Sequence, residues 1–78
     1  MYLMIKKVHY KRLRDLREDH DLTQVQVAKM LSCSQRVYSN YERGYIDIPT
    51  YVLIELSNFY SVSVDYLLGL TDNPKRNT

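Results

Sequence analysis

The stretch Thr23–Glu42, TQVQVAKMLSCSQRVYSNYE, decides how this chain folds. Its first half carries a strong helix-start signal. Thr23 is placed to accept from the free amides of a first turn, and Gln26, three residues on, can reach back, which is the capping-box pattern. Leu22 before the cap and Val27 just inside it supply the matching hydrophobic staple. Val27, Ala28 and Leu31 then recur at helical spacing, giving an apolar face with a small residue in its middle, where a second helix can cross closely. The helix stops at Ser32-Cys33-Ser34, and Ser34 is suited to cap a new one.

That second helix, about Gln35 to Arg43, divides by face. At roughly 100° per residue, Gln35, Arg36, Ser39, Asn40 and Arg43 fall within an arc of about 140°. Val37, Tyr38 and Tyr41 take the opposite side. A solvated helix usually carries mixed Glu–Lys pairs outside, yet this outer face holds amide, hydroxyl and guanidinium groups and no acid. Those groups pair with base edges, Arg with guanine and Asn or Gln with adenine. Two short helices across a tight turn, the second with an acid-free outer face, make a helix-turn-helix.

The run L-T-Q-x-x-x-A-x-x-L, then S-Q-x-x-x-S-x-Y-E-R-G, then P, then V-S-V-D-Y-L-L-G, resembles the lambda repressor/Cro-like family, also called the xenobiotic-response-element family. The residues that carry the resemblance are Leu22, Thr23, Gln24, Ala28, Leu31, Ser34, Gln35, Ser39, Tyr41, Glu42, Arg43, Gly44, Pro49 and the stretch Val62–Gly69. It covers roughly Tyr10 to Leu70. The resemblance implies an all-α, compact five-helix lambda-repressor-like domain. It also implies a sequence-specific double-stranded DNA-binding transcriptional regulator, a repressor acting as a dimer on an inverted-repeat (palindromic) operator. By the same resemblance Gln35, Arg36 and Asn40 meet base edges, while Gln24 and Arg43 meet phosphate. Thr23, Ser34 and Ser39 are secondary candidates. An arginine where Arg17 stands pairs in the family with the glutamate near the end of the reading helix, here Glu42. That pairing makes physical sense: a half-buried acid at the base of a DNA-facing helix repels phosphate unless neutralised, and a bidentate arginine fixes the helix angle. The homodimer implied is weak or DNA-assisted, with its surface expected around helix 5 and the loop before it. Ser32 departs from the family's usual glycine, a position that implies positive φ and hence strain. Ser57 stands for a common alanine, and Cys33 for a small aliphatic residue.

Composition bounds the alternatives. Seventy-eight residues make one small domain, near the lower limit for a core without disulfides or metal. A single cysteine excludes an intramolecular disulfide, and His9 and His20 show no zinc-ligand spacing, so no metal or cofactor is expected. The setting expected is a reducing, cytoplasmic one of prokaryotic or phage type, nucleoid-associated when bound. Net charge is only +2, but residues 1–44 hold nine Lys/Arg against five Asp/Glu, and residues 45–78 two against four. The basic half thus contains the reading helix. No paired-carboxylate, Cys–His or phosphate-loop pattern appears at usable spacing, so no enzyme is expected.

Three segments are expected: an N-terminal extension at 1–9, the domain at 10–70 with its helix-turn-helix motif at 23–42, and a frayed tail at 71–78, which has no apolar residue. The extension MYLMI is too short for a membrane span or signal core. It reads either as packing on the domain or as an arm toward DNA or a second subunit. Helix 1 spans about Tyr10 to Asp19, with Leu13 and Leu16 inward and Lys11, Arg12 and Arg14 as solvated surface. Gly44 ends the reading helix. Helix 4, about Tyr51 to Tyr60, opens at Pro49 and Thr50 and offers Leu53, Ile54, Leu56 and Phe59 to the core. Ser63 as cap, Asp65 in the first turn and a Val62–Leu67 staple argue for a short fifth helix. The resemblance also leaves a second reading open, an antitoxin-like or other protein-interaction module that also binds DNA, and the eight tyrosines would suit its interface. Tyr10, Tyr38, Tyr41 and Tyr66 fall at core positions, whereas Tyr2, Tyr45 and Tyr51 are the ones able to form an exposed patch.

Overall fold

The computed structural model describes residues 10–76; the extension at 1–9 lies outside the described residues, so neither reading of MYLMI is addressed. Five helices follow one another: α1 (Lys11–Asp19), α2 (Gln24–Met30), α3 (Gln35–Arg43), α4 (Thr50–Tyr60) and α5 (Val64–Leu67). There is no strand among the described residues. The starts are chemically explicit. Thr23 Oγ1 accepts from the Gln26 amide at 3.1 Å and Gln26 Oε1 accepts from the Thr23 amide at 2.8 Å, which is the full capping box. Ser34 Oγ caps α3 through the Val37 amide at 3.1 Å, and Ser63 Oγ caps α5 through the Tyr66 amide at 3.0 Å.

The ends share one device. A residue with left-handed backbone follows each helix: Asp21, Ser32, Gly44, Ser61 and Gly69. The next amide then reaches back five residues, as in Tyr45 to the Asn40 carbonyl and Cys33 to the Ala28 carbonyl, so the orphan carbonyls are satisfied. Ser32 has φ of 59°, as expected of a residue standing in glycine's place in the turn between α2 and α3. Its side chain is exposed, so the strain brings no packing in return. Ser32→Gly is therefore expected to stabilise the domain by about 0.5–1 kcal/mol, less what glycine adds to unfolded-chain entropy. A denaturant midpoint that falls would show that the serine makes a compensating contact.

One core joins the helices. Leu13 and Leu16 of α1, Val27 and Ala28 of α2, Leu31 just after it, Tyr38 and Tyr41 of α3, Val52, Leu56 and Tyr60 of α4, Val62 and Leu67 are all buried. Tyr10, Leu22, Cys33, Val37 and Tyr66 pack on it half-buried. Burial pushes the Cys33 thiol up, away from reactive thiolate. In α4 the expected inward set is corrected. Ile54 and Phe59 are exposed, and Val52 and Tyr60 take the core places beside Leu56. The segment TYVLIELSNFY is apolar nearly all round, so periodicity alone cannot choose its buried stripe. Ser57 is buried, and its hydroxyl donates to the Val62 carbonyl at 2.5 Å, the partner its tolerance in an alanine site requires.

The segment expected to fray from residue 71 is held as far as residue 76. Arg12, read as solvated surface, donates from Nη1 to the Tyr66 and Thr71 carbonyls, both at 3.0 Å, and lies 4.0 Å from the centre of the Tyr66 ring. The Ser63 amide donates to the Pro74 carbonyl at 3.0 Å, and Arg76 Nη2 donates to Asn58 Oδ1 at 2.7 Å. Backbone and guanidinium bonds hold the tail where apolar content does not. No helix of the described residues is long and apolar enough to cross a membrane.

Candidate nucleic-acid interface

The helix-turn-helix turn sets α3 across α2 and α1, which pack on its inner side. Val37, Tyr38 and Tyr41 face inward, and the other side of α3 is left to solvent. Gln35, Arg36, Ser39, Asn40 and Arg43 line one shallow, continuous depression there. Gln35, Arg36 and Arg43 are exposed, with Ser39 and Asn40 half-buried between them. The five candidate residues on the outer arc are thus brought together. No carboxylate lines this depression. Ser34 stands at the amino end of the helix as its cap, with its hydroxyl proton still available.

Behind that face lies a polar anchor. Arg17 Nε donates to Glu42 Oε2 at 2.7 Å and its Nη2 to Oε1 at 3.3 Å, a two-point pair between α1 and the end of α3. Arg17 Nη1 also holds the Leu22 carbonyl at 2.9 Å. Only 12% of the arginine side chain and 5% of the glutamate is exposed, so this pair is screened little by water. Burial alone would raise the Glu42 pKa; the hydrogen bonds from Arg17, then the nearby Tyr38 hydroxyl and the Gln24 amide, outweigh it and hold the carboxyl below its ordinary value. The Tyr38 hydroxyl meets no partner at full hydrogen-bond geometry but lies close enough to help keep the acid ionised. The expected pairing of Arg17 with Glu42 thus has the geometry of a buried support for α3.

Gln24 is the member whose full role the sequence did not disclose. Its Nε2 donates to Glu42 Oε1 at 3.1 Å, and its Oε1 accepts from Gln35 Nε2 at 3.3 Å. One amide proton is left over. Gln24 therefore links the buried anchor to the first residue of the exposed arc, across 18 and 11 residues of sequence. No local periodicity could signal contacts of that span. Arg43 borders both the outer depression and a second one lined by Arg14, Arg17, Gln24 and Glu42. Its guanidinium lies 5.7 Å from the centre of the Tyr45 ring, which steadies it at the end of α3. Among the described residues, no three His, Cys, Asp or Glu side chains gather as metal ligands do.

This arrangement can be set beside known proteins. The helix-turn-helix family profile matches residues 13–67, from the first core leucine of α1 to the end of α5. The chain belongs to the lambda repressor/Cro-type helix-turn-helix family. Among its relatives is the HTH-type transcriptional regulator ImmR of Bacillus subtilis (strain 168), 45% identical over 67 residues, which are 86% of this chain and 53% of the relative. The uncharacterised HTH-type regulator YobD of the same organism is 42% identical over 67 residues, 86% of this chain and 60% of its own length. The chain thus spans a little over half the length of the curated relatives it matches. The crystal structure of the clp gene regulator ClgR from C. glutamicum shares the fold, with a TM-score of 0.68 at 22% identity, covering 86% of this chain and 87% of that one.

Proposed function

We propose that this chain is the DNA-binding part of a transcriptional regulator and reads double-stranded DNA sequence-specifically through α3. The observation that carries the reading is the acid-free outer face of α3, set on a helix whose angle is fixed from behind by Arg17, Glu42 and Gln24. Such a face offers bidentate donors and acceptors at the depth of a major groove. Gln35, Arg36 and Asn40 take base edges. Gln24, with its spare amide proton, Arg43 and the hydroxyls of Thr23, Ser34 and Ser39 flank them and take phosphate or secondary contacts, which set register without reading sequence. The family and the names of its relatives support a regulator; a repressor on an inverted repeat, working in the cytoplasm on the nucleoid, is the form proposed.

Selection of bound sites from random duplex DNA tests this. The expected result is an enriched palindrome with half-site centres about 10–10.5 base pairs apart, since two reading helices must enter successive major grooves about 34 Å apart. Retention that is equal for all sequences and vanishes with salt would mark simple phosphate attraction and overturn the reading.

A further inference from the structure

On α1 the arginine of the buried anchor has a neighbour with no part yet in the DNA interface. Arg14 lies three residues before Arg17, so the two share one face of the helix, a turn apart. Arg17 turns in beneath α3, whereas the Arg14 side chain is 59% exposed. Arg14 Nε donates to Glu18 Oε2 at 3.1 Å, one turn further along the same helix. An exposed pair at that spacing contributes little to stability, and this one uses Nε alone. The Nη edge of the guanidinium is left for another acceptor.

Arg14, Arg17, Gln24, Glu42 and Arg43 line one depression, which α1, α2 and α3 close together. Its charges do not cancel. Glu42 is the only carboxylate in the lining, and it already accepts from Arg17 twice and from Gln24. Three guanidiniums against one carboxylate leave two positive charges. Since Arg17 answers Glu42, that surplus belongs to Arg14 and Arg43. The spare amide proton of Gln24 adds a neutral donor in the same lining. Guanidinium edges and an amide, with the one acid already neutralised, form a donor set for an oxyanion.

We propose that this depression seats a single phosphate of the DNA backbone, held jointly by Arg14, Gln24 and Arg43, so that α1 is a third DNA-contacting element. The proposal rests on α3 as the DNA-facing helix and adds to it a residue that the sequence places among solvated surface. Continuity selects a backbone phosphate. Arg43 borders both this depression and the arc of Gln35, Arg36, Ser39 and Asn40. A strand whose base edges meet that arc carries its phosphates past the same rim. The arc mixes amides and a hydroxyl with its guanidiniums, as base edges require, whereas the depression offers mainly charge, which positions a backbone without reading it. In an open site a free phosphate competes with water for hydrated arginines; a phosphate within a duplex gains from the counterions that its polyanion releases.

The test titrates the full chain with selected operator and with scrambled duplex over a salt series. Arg14→Ala is expected to keep the wild-type thermal melt and to weaken both duplexes by the same factor. It should also lower the slope of log affinity against log salt by about one unit. Arg14→Lys is expected to restore most of that slope. Lys75→Ala removes one charge outside both depressions and should leave the slope as it was. Methylphosphonates placed singly in the operator are expected to reveal one position whose neutralisation costs the wild type affinity but costs Arg14→Ala and Arg43→Ala little. An Arg14→Ala slope equal to the wild type overturns the proposal. So does a slope lowered as far by Lys75→Ala, which would mark a diffuse field, or a different phosphate answering to each arginine. Inorganic phosphate that displaces duplex well beyond chloride at equal ionic strength overturns the backbone assignment in favour of a free-anion site. A slope that depends on Arg14, with no preference between the two duplexes, upholds the phosphate seat and overturns sequence reading by α3 instead.

Discussion

Glu42→Ala is expected to destabilise the domain by about 3–5 kcal/mol, because it strands the Arg17 guanidinium beneath α3 with one buried partner gone. The pair is a two-point contact with both side chains nearly buried, and Gln24 loses a bond as well. For a domain of this size such a loss approaches the whole margin of stability, typically 5–15 kcal/mol. Replacing both Arg17 and Glu42 by apolar residues is expected to recover much of it, since no unpaired charge then remains. Urea melts of the two single variants and the double variant measure this. Single-variant changes below about 0.5 kcal/mol would mark an ordinary surface pair and remove the anchor from the account.

The same pair sets an acid limb. Although burial opposes ionisation, hydrogen bonding from Arg17 and Gln24, with the Tyr38 hydroxyl close by, holds the Glu42 carboxyl below its ordinary value of 4.5. The folded state then binds its proton less readily than the unfolded chain does. The stability this contributes is fully present above about pH 4.5 and is lost as pH falls through the folded value. Melting temperature is therefore expected to fall below pH 4.5, and Glu42→Gln should flatten that part of the profile. A variant profile parallel to the wild type would assign the acid limb to other carboxylates.

The legibility of this fold follows from where its information lies along the chain. Caps are local, so Thr23, Gln26, Ser34 and Ser63 could be read from spacing alone, and the boundaries of α3 with them. The arc on α3 was equally legible because that helix is sharply two-faced. α4 was not, because an apolar residue sits on almost every side of it, and only its packing partners decide that Val52 and Tyr60 go inward and Ile54 and Phe59 outward. The latch from Arg12 to the tail and the link from Gln24 to Glu42 join residues 18 to 60 positions apart, and both use side chains equally at home in solvent. Such contacts leave no periodic trace. The pairing of Arg17 with Glu42 spans 25 residues and would have been as silent, had the family resemblance not pointed to it.

Arg36→Ala and Arg43→Ala are expected to differ in kind. Arg36 is exposed on the first turn of α3, within the acid-free arc, where a planar guanidinium can meet guanine by two bonds. Its loss should cost about 1–3 kcal/mol on the selected operator, relax preference at one base position, and leave affinity for scrambled DNA little changed. Arg43 lies two turns further on, at the carboxyl end of the helix and beside Tyr45, toward the rim of the same depression. A cation at that rim meets the backbone, so its loss should weaken all sequences alike and lower the salt slope by about one unit. Gln35→Ala should behave partly like Arg36→Ala, and it also frees Gln24 Oε1 from its bond, loosening the link between the arc and the anchor. Binding of each variant to operator and scrambled duplex over a salt series separates the cases. Equal losses on both duplexes for Arg36→Ala, with a reduced salt slope, would make Arg36 another phosphate contact and leave sequence reading to Gln35 and Asn40.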